Sequence, residues 1–399
     1  MKKLFPLVFL LLLGFIACDD DNNIDTTTIQ VRNLFSLTGN WNSLGKTSNS
    51  AVEIAVEDIN AYFKNKGSKF RLAFQTDDTK LDAALAVPAF LSAENSGIRF
   101  VIGPQSSAEL AALKPYVDSS NTLVISQGST AGSLALPGDA IVRFCPADKI
   151  EGAAIAKTMY QDGIRNIITM ARDDAGNLGL QSSTGNSFSA LGGNTLALTP
   201  YGASEMNFSS ILGALKSQIS ALDATGPISE IAVYLASFDE CVALFNVANS
   251  DPVFKSVRWY GGDGVALSAA ITDDAVASEF AIATQFFTPS FGLPDAQKSI
   301  WEPLAAKIES RSGIHADAFG LAAYDAMWVI AKTIEGSNGV PADINTLVAN
   351  FTAVSNSYVG STGATTLDIN GDRASGSFDY WGIAKVGSTY KWTLVGKSN

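Results

Sequence analysis

The sequence predicts an α/β protein of two doubly wound, Rossmann-like lobes, and three observations lead there. From Ile29 onward, apolar strand-like runs alternate with segments of helical periodicity, the pattern of a parallel sheet flanked by helices. That alternation restarts after Cys145-Pro146, as a second lobe of the same design requires. Of the 399 residues, 47% are hydrophobic and 17% charged, which supplies two apolar cores and argues against a disordered chain.

In chain order, Lys2 and Lys3 precede an apolar run from Leu4 to Ile16, then Ala17 and Cys18. This is a signal-peptide pattern, too short to serve comfortably as a permanent span. Phe15-Ile16-Ala17-Cys18 resembles the lipobox of bacterial lipoproteins, with Phe15 departing from the usual Leu. The resemblance implies acylation of Cys18, which would become the first mature residue. Asp19, Asp20, Asp21, Asn22 and Asn23 form a polar tether too hydrophilic to pack. An acidic run at that place resembles the surface-export signal of some Gram-negative lipoproteins. The expected location is therefore the periplasm or the cell surface, with the membrane engaged only through the lipid.

The first lobe opens with a strand over Ile29–Leu37 and an amphipathic helix carrying Ala51, Ile54, Ala55, Ile59 and Phe63 on one face, closed by Gly67. Phe70, Leu72 and Phe74 alternate as a strand, and Ile98–Ile102 and Thr122–Ser126 read as buried parallel strands. Helices over Leu81–Ala93 and Ala108–Val117 lie between them. The second lobe repeats the scheme with a helix over Ile150–Gln161 and strands at Ile164–Ala171, Thr195–Thr199, Ile228–Ala236 and Val257–Tyr260. A helix over Phe208–Leu222 falls between the second and third of these strands. Later, Phe319, Ala322, Ala323, Met327, Ile330 and Ile334 share the face of one long helix, and Phe378–Val386 with Tyr390–Val395 read as an antiparallel pair. The expected division is a signal peptide over 1–17, a tether over 18–27, lobe 1 over 28–146 plus 286–358, and lobe 2 over 147–285 plus 359–399.

In open α/β sheets ligands sit beyond the carboxyl ends of the strands, so the segments following each strand are the candidates. After Ile102 comes Gly103-Pro104-Gln105-Ser106-Ser107-Ala108-Glu109, where Ser106 and Glu109 form a capping box and Ser107 adds a hydroxyl. After Ser126 comes Gln127-Gly128-Ser129-Thr130, small and hydroxyl-rich. Together these turns can hold a carboxylate through hydroxyls, backbone N–H groups and a helix dipole. In the second lobe, Ser237-Phe238-Asp239 and Gly261-Gly262-Asp263-Gly264 follow two strands. Glycines around Asp263 allow close approach of a cationic group. One lobe suits an anion and the other a cation, and an α-amino acid carries both.

Phe35-Ser36-Leu37-Thr38-Gly39, Ala55-Val56-Glu57-Asp58-Ile59-Asn60, Val101-Ile102-Gly103-Pro104, Tyr324-Asp325-Ala326 and Asp368-Ile369-Asn370-Gly371-Asp372 resemble the branched-chain amino-acid-binding proteins of ABC importers. These belong to the type I periplasmic binding superfamily. The resemblance runs from Ile29 to the C-terminus and implies two lobes joined by a three-strand hinge, closing as a Venus flytrap on a small molecule. It implies ABC permease subunits as partners, a monomer, and no cofactor. Carried over residue by residue, Ser107 matches a serine that contacts the ligand carboxylate, and Gly128 and Thr130 match a carbonyl and a hydroxyl contact to the charged head groups. Phe238 falls where the family has a tyrosine covering the ligand. Asp263 falls at the acidic residue that pairs with the ligand ammonium, here Asp in place of Glu. Asn177 stands where a second tyrosine is usual, which opens one wall and puts branched-chain specificity in doubt. Trp41 either supplies a replacement wall or packs as an ordinary tryptophan.

Other functions fit poorly. A formal net charge of -12 lacks the basic footprint of a nucleic-acid-binding protein. With no CxxC pair and His315 as the single histidine, no Cys/His zinc site is expected. Cys145 and Cys241 are compatible with a disulfide and with two buried thiols. Serine-histidine catalysis would need His315, away from the strand ends, and no nucleotide-binding glycine motif occurs where one would be needed. The chain is expected not to be an enzyme. The alternative is a ligand sensor of the same fold, binding a small amide or organic acid and feeding a signalling partner.

Overall fold

The structure is a computed structural model that describes residues 25–398, so the signal-peptide, Cys18 and most of the tether expectations lie outside the described residues. The first lobe begins with β1 (Thr27–Phe35), α1 (Asn42–Asn65), β2 (Phe70–Asp78) and α2 (Ala83–Asn95). It continues through β3 (Phe100–Ile102), α3 (Ser107–Val117), β4 (Leu123–Ser126) and β5 (Ile141–Pro146). The chain then crosses into the second lobe as α4 (Asp148–Gln161), β6 (Asn166–Ala171), α5 (Ala175–Ala190), β7 (Asn194–Ala197) and α6 (Ser209–Asp223). Next come β8 (Ile231–Ala236), α7 (Cys241–Ala248), α8 (Pro252–Lys255), β9 (Arg258–Gly261), α9 (Ala269–Asp273), α10 (Ala275–Ala283) and β10 (Phe287–Phe291). The chain returns to the first lobe for α11 (Lys298–Ser312), α12 (Ala318–Ser337), α13 (Ile344–Ser357), the hairpin β11 (Val359–Gly360) and β12 (Gly363–Ala364), and β13 (Asp372–Arg373). It ends in the second lobe with β14 (Phe378–Val386) and β15 (Thr389–Lys397).

The first sheet runs β13-β5-β4-β3-β1-β2 and is parallel throughout. The second runs β15-β14-β10-β9-β8-β6-β7, parallel except where β14 joins β10 and β15. Both contain the same doubly wound core, and in each the strand order reverses beside the first strand: between β1 and β3, and between β6 and β8. Such switch points open a crevice beyond the strand ends. The predicted helix face is observed, since Ala55, Ile59 and Phe63 of α1 meet Ala322, Met327 and Ile330 of α12 in one core. Phe245, Trp259, Phe280 and Phe286 anchor the core of the second lobe, with ring centroids 5.0–5.9 Å apart.

The crossings differ from the expected boundaries. Residues 286–291 were expected in lobe 1, but β10 hydrogen-bonds to β9 and β14 and belongs to the second sheet. Residues 359–373 were expected in lobe 2, but β13 pairs with β5 in the first sheet. The β11–β12 hairpin stays there too, because buried Asp325 on α12 accepts four hydrogen bonds from the N–H and hydroxyl groups of Ser361 and Thr362, at 2.6–2.9 Å. A side chain at Gly360 would collide with that carboxylate. Cys145 and Cys241 are both free, buried thiols.

Candidate ligand-binding site

The two switch points face each other, and the segments that follow their strands carry most of the predicted residues. In the first lobe Gly103 adopts a left-handed φ of +93°, with its Cα so close to the Leu34 carbonyl that a Cβ would stand 2.2 Å from the oxygen. That turn delivers Ser106 to cap α3. The capping box forms as expected: Ser106 Oγ accepts from Glu109 N–H, while Glu109 Oε2 accepts from the Ser106 N–H and, at 2.6 Å, from its hydroxyl. Ser106 is thus committed to its own helix.

Ser107 is placed differently. Its Oγ accepts hydrogen bonds from the Ser129 hydroxyl at 3.0 Å, Thr130 N–H at 3.2 Å and Ala131 N–H at 3.1 Å. The turn after β4 therefore converges on one point, as an anion-holding nest does. Arg143, unnoticed in the sequence, holds that turn from below. Its guanidinium is paired with Asp372 through two nitrogens and donates to the Ala131 carbonyl at 2.6 Å. Asp372 is the last residue of the Asp-Ile-Asn-Gly-Asp motif, so this C-terminal signature supports the site without entering it. Gly128 is forced by crowding, because a Cβ there would lie 2.8 Å from the Gln105 carbonyl and 3.4 Å from the Trp41 ring.

Trp41 ends the loop after β1 with a left-handed φ of 54°, unusual for a large side chain and a local strain. Its ring lies against Phe238 of the other lobe, centroids 4.9 Å apart, and its N–H donates to Asp239 Oδ2 at 2.7 Å. Trp41 is therefore a buried, packed tryptophan, and its packing partner lies on the second lobe. Arg172, bridged to Asp174 and Glu240, stacks on Phe238 from the second lobe.

Asn177 lies at the N-terminus of α5, buried, but its amide donates to Asp174 Oδ2 at 2.8 Å and is thereby held by its own cap. The adjacent Gly176 comes closer to the opposite wall, since a Cβ on it would stand 3.5 Å from Ser107 Oγ. Asp263 follows β9 and is buried, with Oδ2 lacking any hydrogen-bond partner in the protein. Its N–H donates to Glu151 Oε1 at 3.1 Å. Glycine at 264 is required, because a Cβ would meet the Ser237 carbonyl and the Phe238 ring within 2.8 Å.

Asp148 and Glu151 were missed by sequence reasoning. They occupy the first turn of α4, where acidic residues ordinarily complement the helix dipole, and so gave no distinct signal. Both are buried beside Asp263. Burial pushes Asp263 up to about 7, aided by repulsion from Asp148; burial likewise pushes Asp148 up to about 7. Glu151 is raised by burial and by both neighbours. The Thr130 hydroxyl and Gly132 N–H draw Asp148 partway back, yet neither of its oxygens has a partner of proper hydrogen-bond geometry. Elsewhere, His315 is exposed against Glu309 and Trp381. Asp78 accepts from Leu37, Thr38 and Lys80 as a turn residue. Among the described residues no group of His, Cys, Asp and Glu is arranged to hold a metal ion, and no helix is long and apolar enough to cross a membrane.

Two doubly wound lobes joined by three chain crossings are the architecture of periplasmic solute-binding proteins. Residues 28–381 match the periplasmic binding protein family, and the chain belongs to it. That membership implies a location outside the cytoplasm. A curated relative, an uncharacterized protein of Methanocaldococcus jannaschii, is 27% identical over 96% of this chain and 94% of its own length. Among solved structures, a leucine-binding protein of Thermotoga maritima superposes with a TM-score of 0.73 at 19% identity, covering 93% of this chain and 99% of its own. An ABC-transporter solute-binding protein of Rhodopseudomonas palustris, in complex with 3,4-dihydroxybenzoic acid, gives 0.71 at 15% identity over 93% and 97%. These neighbours share the fold, are solute-binding proteins rather than enzymes, and take chemically different ligands.

Proposed function

We propose that this protein is an extracytoplasmic lipoprotein that captures an amino acid or similar small zwitterion between its closing lobes and delivers it to an ABC importer. The reading rests on the opposition of two walls: Ser107, Ser129 and Thr130 gather donors at one point, and Asp263 presents an unpartnered carboxylate oxygen on the other. A ligand carboxylate engages the first wall by taking over the N–H groups of Thr130 and Ala131. Closure then brings its ammonium to Asp263, where exclusion of water strengthens the pair. Trp41 and Phe238 cover the ligand from both lobes. Lipid at Cys18 tethers the monomer to the membrane, on the periplasmic or outer face.

A thermal-shift panel of α-amino acids, amides and benzoates tests the reading. Binding to the native state stabilises it by ~2.7 kcal/mol at a hundredfold excess over Kd, so a true ligand raises Tm visibly. An amino acid is expected to do so. A response confined to benzoates or amides would replace the zwitterion with an organic acid or amide, and favour the sensor alternative once no permease partner is found.

A further inference from the structure

The positive pole of a simple α-amino acid carries one charge, while the wall that would receive it carries three carboxyl groups. Asp148, Glu151 and Asp263 are 2%, 1% and 4% exposed. Asp148 Oδ1 and Oδ2, Glu151 Oε2 and Asp263 Oδ2 are buried without a well-formed hydrogen bond to a donor of the protein, Glu151 and Asp263 being left to each other and Asp148 only loosely approached by Thr130 and Gly132. None of the three takes part in a described ion pair, and the two nearby guanidinium groups are engaged elsewhere, Arg143 with Asp372 and Arg172 with Asp174 and Glu240. Buried charges are ordinarily paired, so a wall of this kind calls for cationic charge from outside the chain.

Two independent features point the same way. The Tyr234 hydroxyl is fully buried beside Thr184 without a well-formed hydrogen bond, and it feels the charges of Glu151, Asp263 and Asp148 together. Helix α5 presents Gly179 to Asp148, where a Cβ would fall 2.1 Å from Oδ2, so the acid's space is kept by the lack of a side chain. Glu151 and Asp263 share a proton, and with Asp263 and Asp148 both pushed up to about 7 an arriving cation can ionise the two of them.

We propose that this wall is a two-charge cation site, and that the captured ligand is a diamino acid whose α-ammonium and side-chain ammonium are held by Asp263, Asp148 and Glu151. The inference rests on the zwitterion reading above and adds the second cationic nitrogen to it. Asp263 takes one nitrogen; Asp148, on the side of the cleft nearer Thr130 and Gly179, takes the other; Glu151 sits behind Asp263 as a positioning residue.

Calorimetric titration of the full chain with three pairs tests this: diaminopropionate beside aminobutyrate, ornithine beside norleucine, and lysine beside aminoheptanoate, all as L-isomers. At least one diamino acid should bind about tenfold to a hundredfold more tightly than its uncharged counterpart, the worth of one added charged hydrogen bond. Both substitutions keep the shape of the wall: Asp148→Asn should bring that pair close to parity, and Glu151→Gln, which disturbs the seat of Asp263, should weaken both members of the pair. Removal of one of three crowded carboxylates favours folding, and a melting curve verifies it. Uncharged members binding as tightly as the diamino acids in the wild type would overturn the proposal, as would a preference that survives Asp148→Asn. If no amino acid of either kind binds, it is the zwitterion reading that fails.

Discussion

The two walls of the cleft are built on opposite principles. On the first-lobe wall the serines of the two turns are hydrogen-bonded: Ser106 is paired with Glu109, Ser107 accepts three donors, and the turn carrying Ser129 and Ala131 is fastened by Arg143, leaving Glu109 Oε1 and Gln127 Oε1 as the unpartnered oxygens there. On the second-lobe wall four carboxylate oxygens lack a well-formed hydrogen bond. A satisfied wall is rigid and contributes geometry, since a ligand gains there only what it adds beyond the hydrogen bonds it replaces. An unsatisfied wall costs stability until something fills it, and contributes affinity. Under the proposed function, stability given up on one side of the cleft is recovered as binding.

The largest expected effect therefore comes from the second wall. Asp263→Asn should weaken the true ligand at least about a hundredfold, because loss of one partner from a buried pair costs ~3–5 kcal/mol. The same substitution should raise the melting temperature of the protein measured without ligand. The sign follows from linkage. The folded pKa of Asp263 and Asp148 lies near 7, above the ordinary value of 3.8. Well below pH 4 neither state is ionised and there is no penalty; from about pH 4 to 7 the unfolded chain ionises while the folded carboxyls stay protonated, so the penalty grows across that window and is complete above 7, on the order of several kcal/mol at most, part of which cleft opening relieves. Wild-type Tm should fall from pH 4 to 8, and the fall should be shallower in Asp263→Asn. A variant that loses both affinity and stability would mean that Asp263 is an ordinary structural acid.

Ser107→Ala probes the satisfied wall and should behave in the reverse manner. It strips the acceptor from Thr130 N–H, Ala131 N–H and the Ser129 hydroxyl, so it should lower Tm by a loss of about 1–3 kcal/mol. Affinity should fall only about tenfold, because the backbone donors remain for the ligand. Calorimetry and a melting curve on the same sample separate the two effects. A greater loss of affinity than in Asp263→Asn would invert the comparison between the walls.

The first wall was legible in the sequence and the second largely was not, for a physical reason. Capping boxes and Gly-Ser-Thr turns are local, so Ser106-x-x-Glu109 and Gly128-Ser129-Thr130 identify themselves within a few residues. The acid wall is assembled by tertiary packing. Asp148 and Glu151 look like routine acids in a helix's first turn, and only the packing of α5 and β9 over them makes them a buried cluster. Asn177 illustrates the converse, a residue in the expected place whose amide is taken by its own cap. Lobe boundaries failed where strands lacked their usual signature. Pro289 within β10 reads as a breaker, and β13 is only Asp372–Arg373, too short to show a period.

Trp41 connects the two walls, and its substitution should have the smallest effect of the three. Its ring meets Phe238 at 4.9 Å across the cleft, while its backbone N–H, retained in any variant, keeps the contact to Asp239. Trp41→Ala thus removes an aromatic pair worth ~0.5–1.5 kcal/mol beyond its buried area, but leaves both the donor turn and the carboxylates in place. The left-handed φ of 54° is borne by residue 41 whatever its side chain, so alanine inherits the strain without the contact that offsets it. The protein should consequently sample open forms more, and small-angle scattering should show a larger radius of gyration before ligand is added and an unchanged one after saturation. Affinity should fall about threefold to tenfold, by the share of binding energy spent on closing. If the radius is the same with and without the indole, then the lobes are held together by hydrogen bonds such as those of Asp239 to Trp41 N–H and of Ser43 Oγ to Ala269 N–H, and Trp41 is a cover for the ligand rather than a clasp.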